Sequence, residues 1–314
     1  MTSDTQSSLS WRIGLIGYGE VGRILAEDLK AAGIRQIAAC DVKVGTPADG
    51  ELVAHAEAQG VSLTASHAEV AAGADLLISV VTANQAVAVA EACASGLRAG
   101  AWFLDCNSAS PGAKVTAAAA VAAVGGRFVE GAVMTSVPPY RIKVPMLLGG
   151  PDAVGLEPAL AVLGFAARAG NARLGVVSAT KMCRSVMIKG LEAMVIESFS
   201  AARAYGVEDE VIASLGETFP GIDWETLGSY FFQRVIEHGR RRAEEMREVA
   251  ATVQEIGLTP WSADGTANRQ GWVADLADHG VFGARGQPGF ARSPDWRTEA
   301  DRLLSLASRL TPAD

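Results

Sequence analysis

The sequence has few of the residues that build disulfide frameworks or metal centres. Its four cysteines include no C-x-x-C pair, so we expect them to be reduced core or strand residues. Its four histidines lack the i, i+4 spacing that brings two ligands to one helix face. We therefore expect no catalytic metal.

Basic residues and long apolar segments are also scarce. The 27 lysines and arginines are outnumbered by 35 acidic residues, which gives a net charge of -8 and disfavours nucleic acid as a partner. The dense basic run is Arg240-Arg241-Arg242. No segment has the ~18 consecutive apolar residues of a membrane span, and the first residues are polar, unlike a signal peptide. We expect a soluble, cytoplasmic protein.

The stretch from Ile13 to Asp41 carries the strongest positive signal. A short apolar strand leads into Gly17-Tyr18-Gly19-Glu20-Val21-Gly22, a match to G-x-G-x-x-G, and a helix and a second strand then lead to Asp41. Gly17 permits a tight turn, Gly19 lets a pyrophosphate approach the backbone, and Gly22 lets the helix lie close to the strand. The helix N-terminus favours phosphates, and Asp41 would bind the adenosine ribose. The pattern predicts dinucleotide binding; the alternative is a βαβ unit with an empty turn.

Apolar strands and helices continue to alternate through the first half of the chain. Further strands are predicted over residues 61–64, 76–81, 102–105, 127–133 and 144–148. The unbroken apolar run at 76–81 is typical of a strand buried on both faces of a parallel sheet. We expect a doubly wound, Rossmann-type α/β domain, with ligands at the carboxyl ends of the strands, where Gly17, Asp41, Thr82 and Asn107 fall.

Beyond about Thr180 the pattern becomes entirely helical. Helices are predicted over residues 180–205, 208–219, 224–238, 240–256, 265–277 and 296–310. The expected division is a disordered leader over 1–9, a dinucleotide-binding domain over 10–179 and an all-helical substrate and dimerisation domain over 180–314. Apolar helical segments such as 231–236 often lie at subunit interfaces, so we expect a homodimer or a higher homo-oligomer.

Two later patches resemble a known family. Leu104-Asp105-Cys106-Asn107-Ser108-Ala109-Ser110-Pro111 resembles the substrate-binding D-x-S-T-x-x-P loop of the β-hydroxyacid dehydrogenases, which include 6-phosphogluconate and 3-hydroxyisobutyrate dehydrogenases. Residues 178–185 are similar to their G-x-G-x-x-x-K-x-x-x-N catalytic helix. Residues 238–246 resemble the phosphogluconate-dehydrogenase-like branch with an uncharacterised helical C-terminal domain. The chain is identified as a member of this superfamily over nearly its whole length.

The resemblance implies a site built on the lysine helix and the loop before Pro111. Lys181 would be the general acid/base. Ser185, the second predicted catalytic residue, stands where the family has asparagine and could hydrogen-bond the reacting hydroxyl or Lys181. Asn107 and Ser108 would bind a substrate carboxylate, and Lys189 an anionic group of the substrate. The alternatives are a solvated Lys181, a plain turn at 107–108, and a salt bridge from Lys189 to Glu192 or Glu197.

The chain departs from the family where relatives carry D-x-P-V-S-G-G. Residues 130–140 contain Met134 and two prolines in place of the glycines, which stiffens the backbone, so neither 6-phosphogluconate nor 3-hydroxyisobutyrate should be assumed as the substrate. Arg141, Lys143 and the Arg240 to Arg242 run could recognise an anion or be solvated charges.

The cofactor is expected to be NAD, because a carboxylate at Asp41 accepts from the ribose 2′-hydroxyl and repels a 2′-phosphate. Lys43 could offset that charge for NADP. The predicted activity is NAD(P)-dependent hydride transfer to or from a small, anionic, possibly phosphorylated hydroxy acid, with decarboxylation left open. The alternatives are an imine or ketone reductase and a non-catalytic dinucleotide sensor. The predicted cofactor-binding residues are Gly17, Tyr18, Gly19, Glu20, Val21, Gly22, Asp41, Lys43, Val81 and Thr82.

Overall fold

A computed structural model of the chain describes residues 7–287, 289–291 and 293–310. The chain forms two compact units, Met1–Met182 and Cys183–Asp314. The domain boundary expected after residue 179 stays a prediction. Of the predicted leader, residues 1–6 lie outside the described residues. The predicted disorder does not extend to Ser7–Ser10, which forms a 3-10 helix in which Ser8 is buried.

The first unit is built on an eight-stranded sheet with the order β3-β2-β1-β4-β5-β6-β7-β8. Neighbouring strands are parallel except for the antiparallel pair β6 and β7. The strand order reverses between the neighbouring strands β1 and β4, whose connections lead to β2 on one side and to β5 on the other. Doubly wound sheets bind ligands at such a point. The strands are β1 Arg12–Ile16, β2 Gln36–Cys40, β3 Ser62–Leu63, β4 Leu76–Ser79, β5 Trp102–Asp105, β6 Arg127–Val133, β7 Met146–Gly149 and β8 Ala167–Asn171.

Helices connect these strands, and local capping residues define several of their ends. Ser66 and Ser110 each accept a hydrogen bond from the backbone three residues on, and so cap the third and fifth helices. Gly60 ends the second helix with a φ of 61°, a left-handed conformation that suits glycine. The helices are α1 Glu20–Ala31, α2 Gly50–Gln59, α3 His67–Gly73, α4 Ala86–Ala94, α5 Pro111–Ala123 and α6 Ala153–Val162, with 3-10 turns at Ala83–Gln85 and Arg141–Lys143.

Apolar cores lie on both faces of the sheet. All four residues of β4 are buried, as its continuous apolar sequence predicts. One core takes residues from α1, α2 and α6, and the other takes residues from α3, α4 and α5. Helices therefore cover both faces, and the predicted doubly wound α/β class is confirmed.

The sheet extends further than the sequence indicated. We expected the strand over 144–148 to close it, but α6 follows β7 and leads into an eighth strand, Ala167–Asn171. This strand lies at the edge of the sheet and is mostly exposed. An edge strand does not need the apolar run by which the buried strands were found, which explains why it was missed.

The second unit is helical, as predicted. Helix α7, Val176–Tyr205, runs into it from the first unit and begins four residues earlier than expected. It is followed by α8 Glu208–Thr218, α9 Trp224–Glu255, α10 Trp261–Asp278 and α11 Trp296–Leu310. The apolar segment 231–236 packs inside this unit, with Phe232, Val235 and Ile236 almost completely buried. It therefore does not support the expected subunit interface.

The prediction of two helices over 224–238 and 240–256 was wrong, because α9 is a single helix of 32 residues. Gly239, where the break was expected, lies inside it and faces α10. A Cβ at this position would lie 2.7 Å from the carbonyl oxygen of Gln270 and 3.2 Å from the Cβ of Ala274. The glycine permits close helix packing and does not end the helix.

Among the described residues, none of the helices is sufficiently long and apolar to cross a membrane. Within the same residues, no group of three or more His, Cys, Asp or Glu side chains is placed to hold a metal ion.

Asp75 joins the amino ends of the central strands. Its carboxylate accepts hydrogen bonds from the backbone of Arg12 at 2.9 Å, from the Arg12 guanidinium at 3.1 and 3.2 Å, and from Arg98 at 2.6 Å. Burial by itself raises the pKa of Asp75, but these hydrogen bonds outweigh it and hold the pKa well below its usual range.

We expect Asp75→Asn to lower the free energy of unfolding by about 1 kcal/mol at neutral pH, since the arginine contacts are strong but partly screened by solvent. Because the native pKa is depressed, the contribution is fully present above pH ~4 and is lost as pH falls towards the native pKa. Urea unfolding at several pH values measures both effects. Asp152→Asn is the control, because Asp152 precedes α6 without a side-chain capping bond. Equal stability of Asp75→Asn and the unmodified protein at pH 7 would contradict this account.

Candidate active site

The glycine turn has the geometry that its sequence predicts. Gly17 has a φ of 92°, and a Cβ there would lie 2.6 Å from the carbonyl oxygen of Val80. A Cβ on Gly22 would collide with the carbonyl oxygen of Gly17, whereas a Cβ on Gly19 would meet no atom within 4 Å. Gly17 and Gly22 thus allow tight packing, and Gly19 faces open space at the start of α1. This is the cradle that a pyrophosphate requires.

Asp41 lies directly beside this turn. Its Oδ2 accepts the backbone N–H of Tyr18 at 2.7 Å, and its Oδ1 accepts that of Lys43 at 3.0 Å. The carboxylate is thereby fixed at the carboxyl end of β2, and each oxygen keeps a lone pair for a ribose hydroxyl. The Lys43 side chain is exposed.

The remaining residues of the turn differ in exposure. Tyr18 is fully buried, and its hydroxyl group lies 2.9 Å from Nδ1 of His55. Burial raises the pKa of Tyr18 to about 12, so the phenol stays protonated. Glu20 is exposed and Val21 is half-buried. The residue between the first two glycines is therefore a core residue, whose backbone serves the turn.

The loop after β4 is tied to the loop after β5. The backbone N–H of Val81 donates to Oδ1 of Asn107 at 2.7 Å, and Nδ2 of Asn107 donates to the Ser79 hydroxyl at 2.9 Å. Asn107 is only 4% exposed. Thr82 is exposed and its hydroxyl contacts Asn84. The sequence predicts that Asn107 binds a substrate carboxylate. In the structure, its side chain hydrogen-bonds to Val81 and Ser79 and so connects the two loops.

The structure brings Lys181 and Ser108 together. Lys181 is half-buried in the second turn of α7, and its Nζ donates to the Ser108 hydroxyl at 2.6 Å. Lys181 therefore lies inside α7 and not at its start, where the helix predicted over residues 180–205 would place it. The contact places an amine against the loop that resembles a substrate loop, within one compact unit.

A buried ion pair that the sequence did not reveal supports the same loop. Lys114 and Asp105 each expose about 1% of their side chains, and Lys114 Nζ lies 3.1 Å from Asp105 Oδ2. The ammonium also donates to the Asp105 carbonyl oxygen at 3.0 Å, while Asp105 Oδ1 accepts the backbone N–H of Asn107 at 2.9 Å. A lysine in an alanine-rich helix is typical of a surface position, so sequence alone carried no signal for this pair.

Ser185 and Lys189 belong to the second unit, and both are buried there. Lys189 donates to Oε2 of Glu245 at 2.5 Å. Burial lowers the pKa of Lys189, and Glu245 partly offsets that effect. The salt bridge considered from the sequence thus exists, but with a different acid, because Glu192 pairs with Arg242 and Glu197 pairs with Arg269.

The arginines considered for anion recognition also have acidic partners, whereas Lys143 is exposed. Arg240 contacts Asp275 and Asp278, and Arg241 contacts Glu245. Arg242 is 4% exposed and pairs with Glu192. In the first unit, Arg141 pairs with Glu27 and Asp28. Each of these guanidinium groups is therefore compensated within its own unit.

Comparison with known proteins agrees with this arrangement. Residues 12–163 match the family described as the NAD binding domain of 6-phosphogluconate dehydrogenase, and residues 202–273 match a domain of unknown function, DUF1932. A conserved hypothetical protein from Sinorhizobium meliloti 1021 is 36% identical; the match covers 96% of this chain and 98% of that protein, with a TM-score of 0.73. These matches indicate a nicotinamide dinucleotide as the cofactor class.

Two enzymes share the fold at lower identity. Mycobacterium tuberculosis 3-hydroxyisobutyrate dehydrogenase, solved with L-serine, is 17% identical over 94% of this chain and 99% of that one, with a TM-score of 0.67. A reductive aminase from Aspergillus terreus, solved with NADPH and ethyl levulinate, is 21% identical over 94% and 99%, with a TM-score of 0.52. The chain belongs to the β-hydroxyacid dehydrogenase superfamily, in the branch that joins a 6-phosphogluconate-dehydrogenase-type NAD-binding domain to a DUF1932 domain.

Proposed function

We propose that this protein is an NAD(P)-dependent dehydrogenase that interconverts a small hydroxy acid and its keto acid, with Lys181 as the general acid/base. The observation that carries the proposal is the 2.6 Å hydrogen bond from Lys181 to Ser108. This pair and the glycine turn are connected within the first unit. Asn107, next to Ser108, accepts a hydrogen bond from Val81. The neighbouring residue Val80 lies so close to Gly17 that a Cβ on the glycine would collide with it.

Lys181 has the chemistry that alcohol oxidation needs. A bound nicotinamide supplies the hydride acceptor or donor. In the oxidative direction, the neutral amine of Lys181 takes the hydroxyl proton as hydride leaves the carbon, and in the reductive direction the ammonium returns a proton to the carbonyl oxygen. Ser108 accepts from the ammonium and orients it between turnovers.

The loop over 105–110 is the proposed carboxylate site. The Ser108 hydroxyl would bind the carboxylate, while Asn107, which is engaged with Val81 and Ser79, holds the loop in place. The arginines considered for a phosphate are already paired with acids, which favours an unphosphorylated substrate. Substrate roles for Ser185 and Lys189, decarboxylation, a cytoplasmic location and a homo-oligomeric state stay predictions.

We expect Lys181→Ala to leave the dissociation constant for the dinucleotide unchanged and to lower turnover by about 10²–10⁴-fold, the usual contribution of a general acid/base. Absorbance at 340 nm across a panel of phosphorylated and unphosphorylated hydroxy acids, ketones and imines measures turnover, and calorimetry measures binding. Unphosphorylated hydroxy acids should give the highest rates.

Lys30→Ala is the matched control. Among the described residues, the Lys30 ammonium donates to the carbonyl oxygens of Arg35 and Gly60, and neither belongs to the candidate site. Equal rates for Lys181→Ala and the unmodified enzyme would exclude the lysine mechanism. Activity on imines alone would favour a reductase, and dinucleotide binding without turnover on any substrate would favour a sensor.

We further propose that NAD is the preferred dinucleotide, because the fixed carboxylate of Asp41 would meet the ribose diol and repel a 2′-phosphate. Asp41→Ala should weaken NADH binding and strengthen NADPH binding, changing the ratio of the two dissociation constants by about tenfold or more. Nicotinamide fluorescence titration gives both constants.

Asp49→Ala is the control for this change, since Asp49 lies between β2 and α2 and also accepts a backbone hydrogen bond, from Gly45 at 2.8 Å. Its ratio should match that of the unmodified protein. Tighter binding of NADPH than of NADH by the unmodified protein would overturn the preference, and would point to Lys43 as the group that offsets the charge.

A further inference from the structure

Glu130 is a completely buried acid in β6 that the reaction itself does not use. Its Oε1 accepts backbone hydrogen bonds from Gly175 at 3.1 Å and Val177 at 3.3 Å, and its Oε2 accepts the Ser178 hydroxyl at 2.7 Å. These donors surround the start of α7. The carboxylate therefore caps this helix, where the unpaired N–H groups and the helix dipole favour a negative charge.

The neighbouring strand leaves room for this carboxylate. Gly149 of β7 is the register partner of Glu130. A Cβ on Gly149 would collide with Oε1 of Glu130 and would lie 2.6 Å from its Cγ. Any larger residue at this position would push the carboxylate away from α7, so the glycine and the acid form one structural unit.

The neighbouring strands β5 and β6 each anchor one segment of the candidate site. Glu130 is paired in register with Asp105 of β5. Asp105 fixes the loop that carries Ser108, through Lys114 and the backbone N–H of Asn107. Glu130 fixes the first turn of α7, and Lys181 lies one turn further along the same helix. The contact between Lys181 and Ser108 joins these two anchored segments.

We propose that Glu130 is the positioning residue of Lys181, and that it sets the approach of the amine to Ser108 by capping α7 within the space left by Gly149. This inference rests on the proposed role of Lys181 in catalysis. It makes a prediction that does not need turnover, because the environment of the Lys181 amine can be measured directly.

The test is trace acetylation of the full-length protein at several pH values, with the rate at each lysine read by peptide mass spectrometry. Ser108→Ala gives the Lys181 rate in the absence of the hydrogen bond to Ser108. Glu130→Gln and Gly149→Ala should each change the Lys181 rate severalfold in the same direction as Ser108→Ala. The rates at Lys30 and Lys143, which lie elsewhere in this unit, should not change.

Two controls match the two substitutions. Glu157→Gln changes another acid that accepts a backbone N–H, that of Ala169 in β8 at 3.0 Å. Gly73→Ala adds a Cβ that meets no atom within 4 Å. Both should keep the original Lys181 rate. If Glu130→Gln does not fold, Ser178→Ala, which removes one of the three hydrogen bonds, decides by the same criterion.

Two results would overturn the proposal. The first is an unchanged acetylation rate at Lys181 in the folded Glu130→Gln and Gly149→Ala variants. The second is a parallel rise in the rates at Lys30, Lys143 and Lys181, which would indicate destabilisation of the whole unit. Where the 340 nm screen yields a substrate, Glu130→Gln should lower kcat more than it changes KM or dinucleotide binding. A failed screen with a changed Lys181 rate would contradict the enzyme function alone.

Discussion

Parallel strands end at a common edge of their sheet, and the candidate site depends on this constraint. The carboxyl ends of β1, β2, β4 and β5 carry the glycine turn, Asp41, Val81 and the loop with Ser108. Asp41, after β2, hydrogen-bonds to the turn after β1, and Asn107, after β5, hydrogen-bonds to the end of β4. The geometry at this edge is thus set by the backbone of the sheet and by a few polar side chains that cross between loops.

Burying those polar groups is costly unless every one of them finds a partner. Asp105 and Glu130 are completely buried at paired positions of β5 and β6, yet one has a lysine and a backbone N–H, and the other has three donors at a helix start. Removing one partner of such a group leaves the other unpaired, which costs more than the hydrogen bond itself contributes. Both acids therefore hold their segments in one arrangement, as the proposed acid/base role of Lys181 requires.

Sequence patterns predicted the elements whose signal is local. The glycine turn, the buried strand β4 and several helix ends follow from residue types a few positions apart. Three features depend on partners distant in the chain and were missed: the exposed edge strand β8, the continuity of α9 through Gly239, and the burial of Lys114. From sequence alone, a glycine within a helical pattern indicates a helix end, and only the neighbouring helix shows that it permits close packing. A lysine likewise indicates a surface position, and only its acidic partner shows that it is buried.

The basic run Arg240 to Arg242 shows why a charge cluster in sequence need not be one in space. Successive residues on a helix point about 100° apart, since one turn takes 3.6 residues. The three guanidinium groups accordingly meet different acids: Asp275 and Asp278, then Glu245, then the buried Glu192. Arg242 and Glu192 tie α9 to α7, and Arg240 ties α9 to α10. Arg240 and Arg242 therefore contribute to helix packing in the second unit, whereas Arg241 pairs with an acid of its own helix.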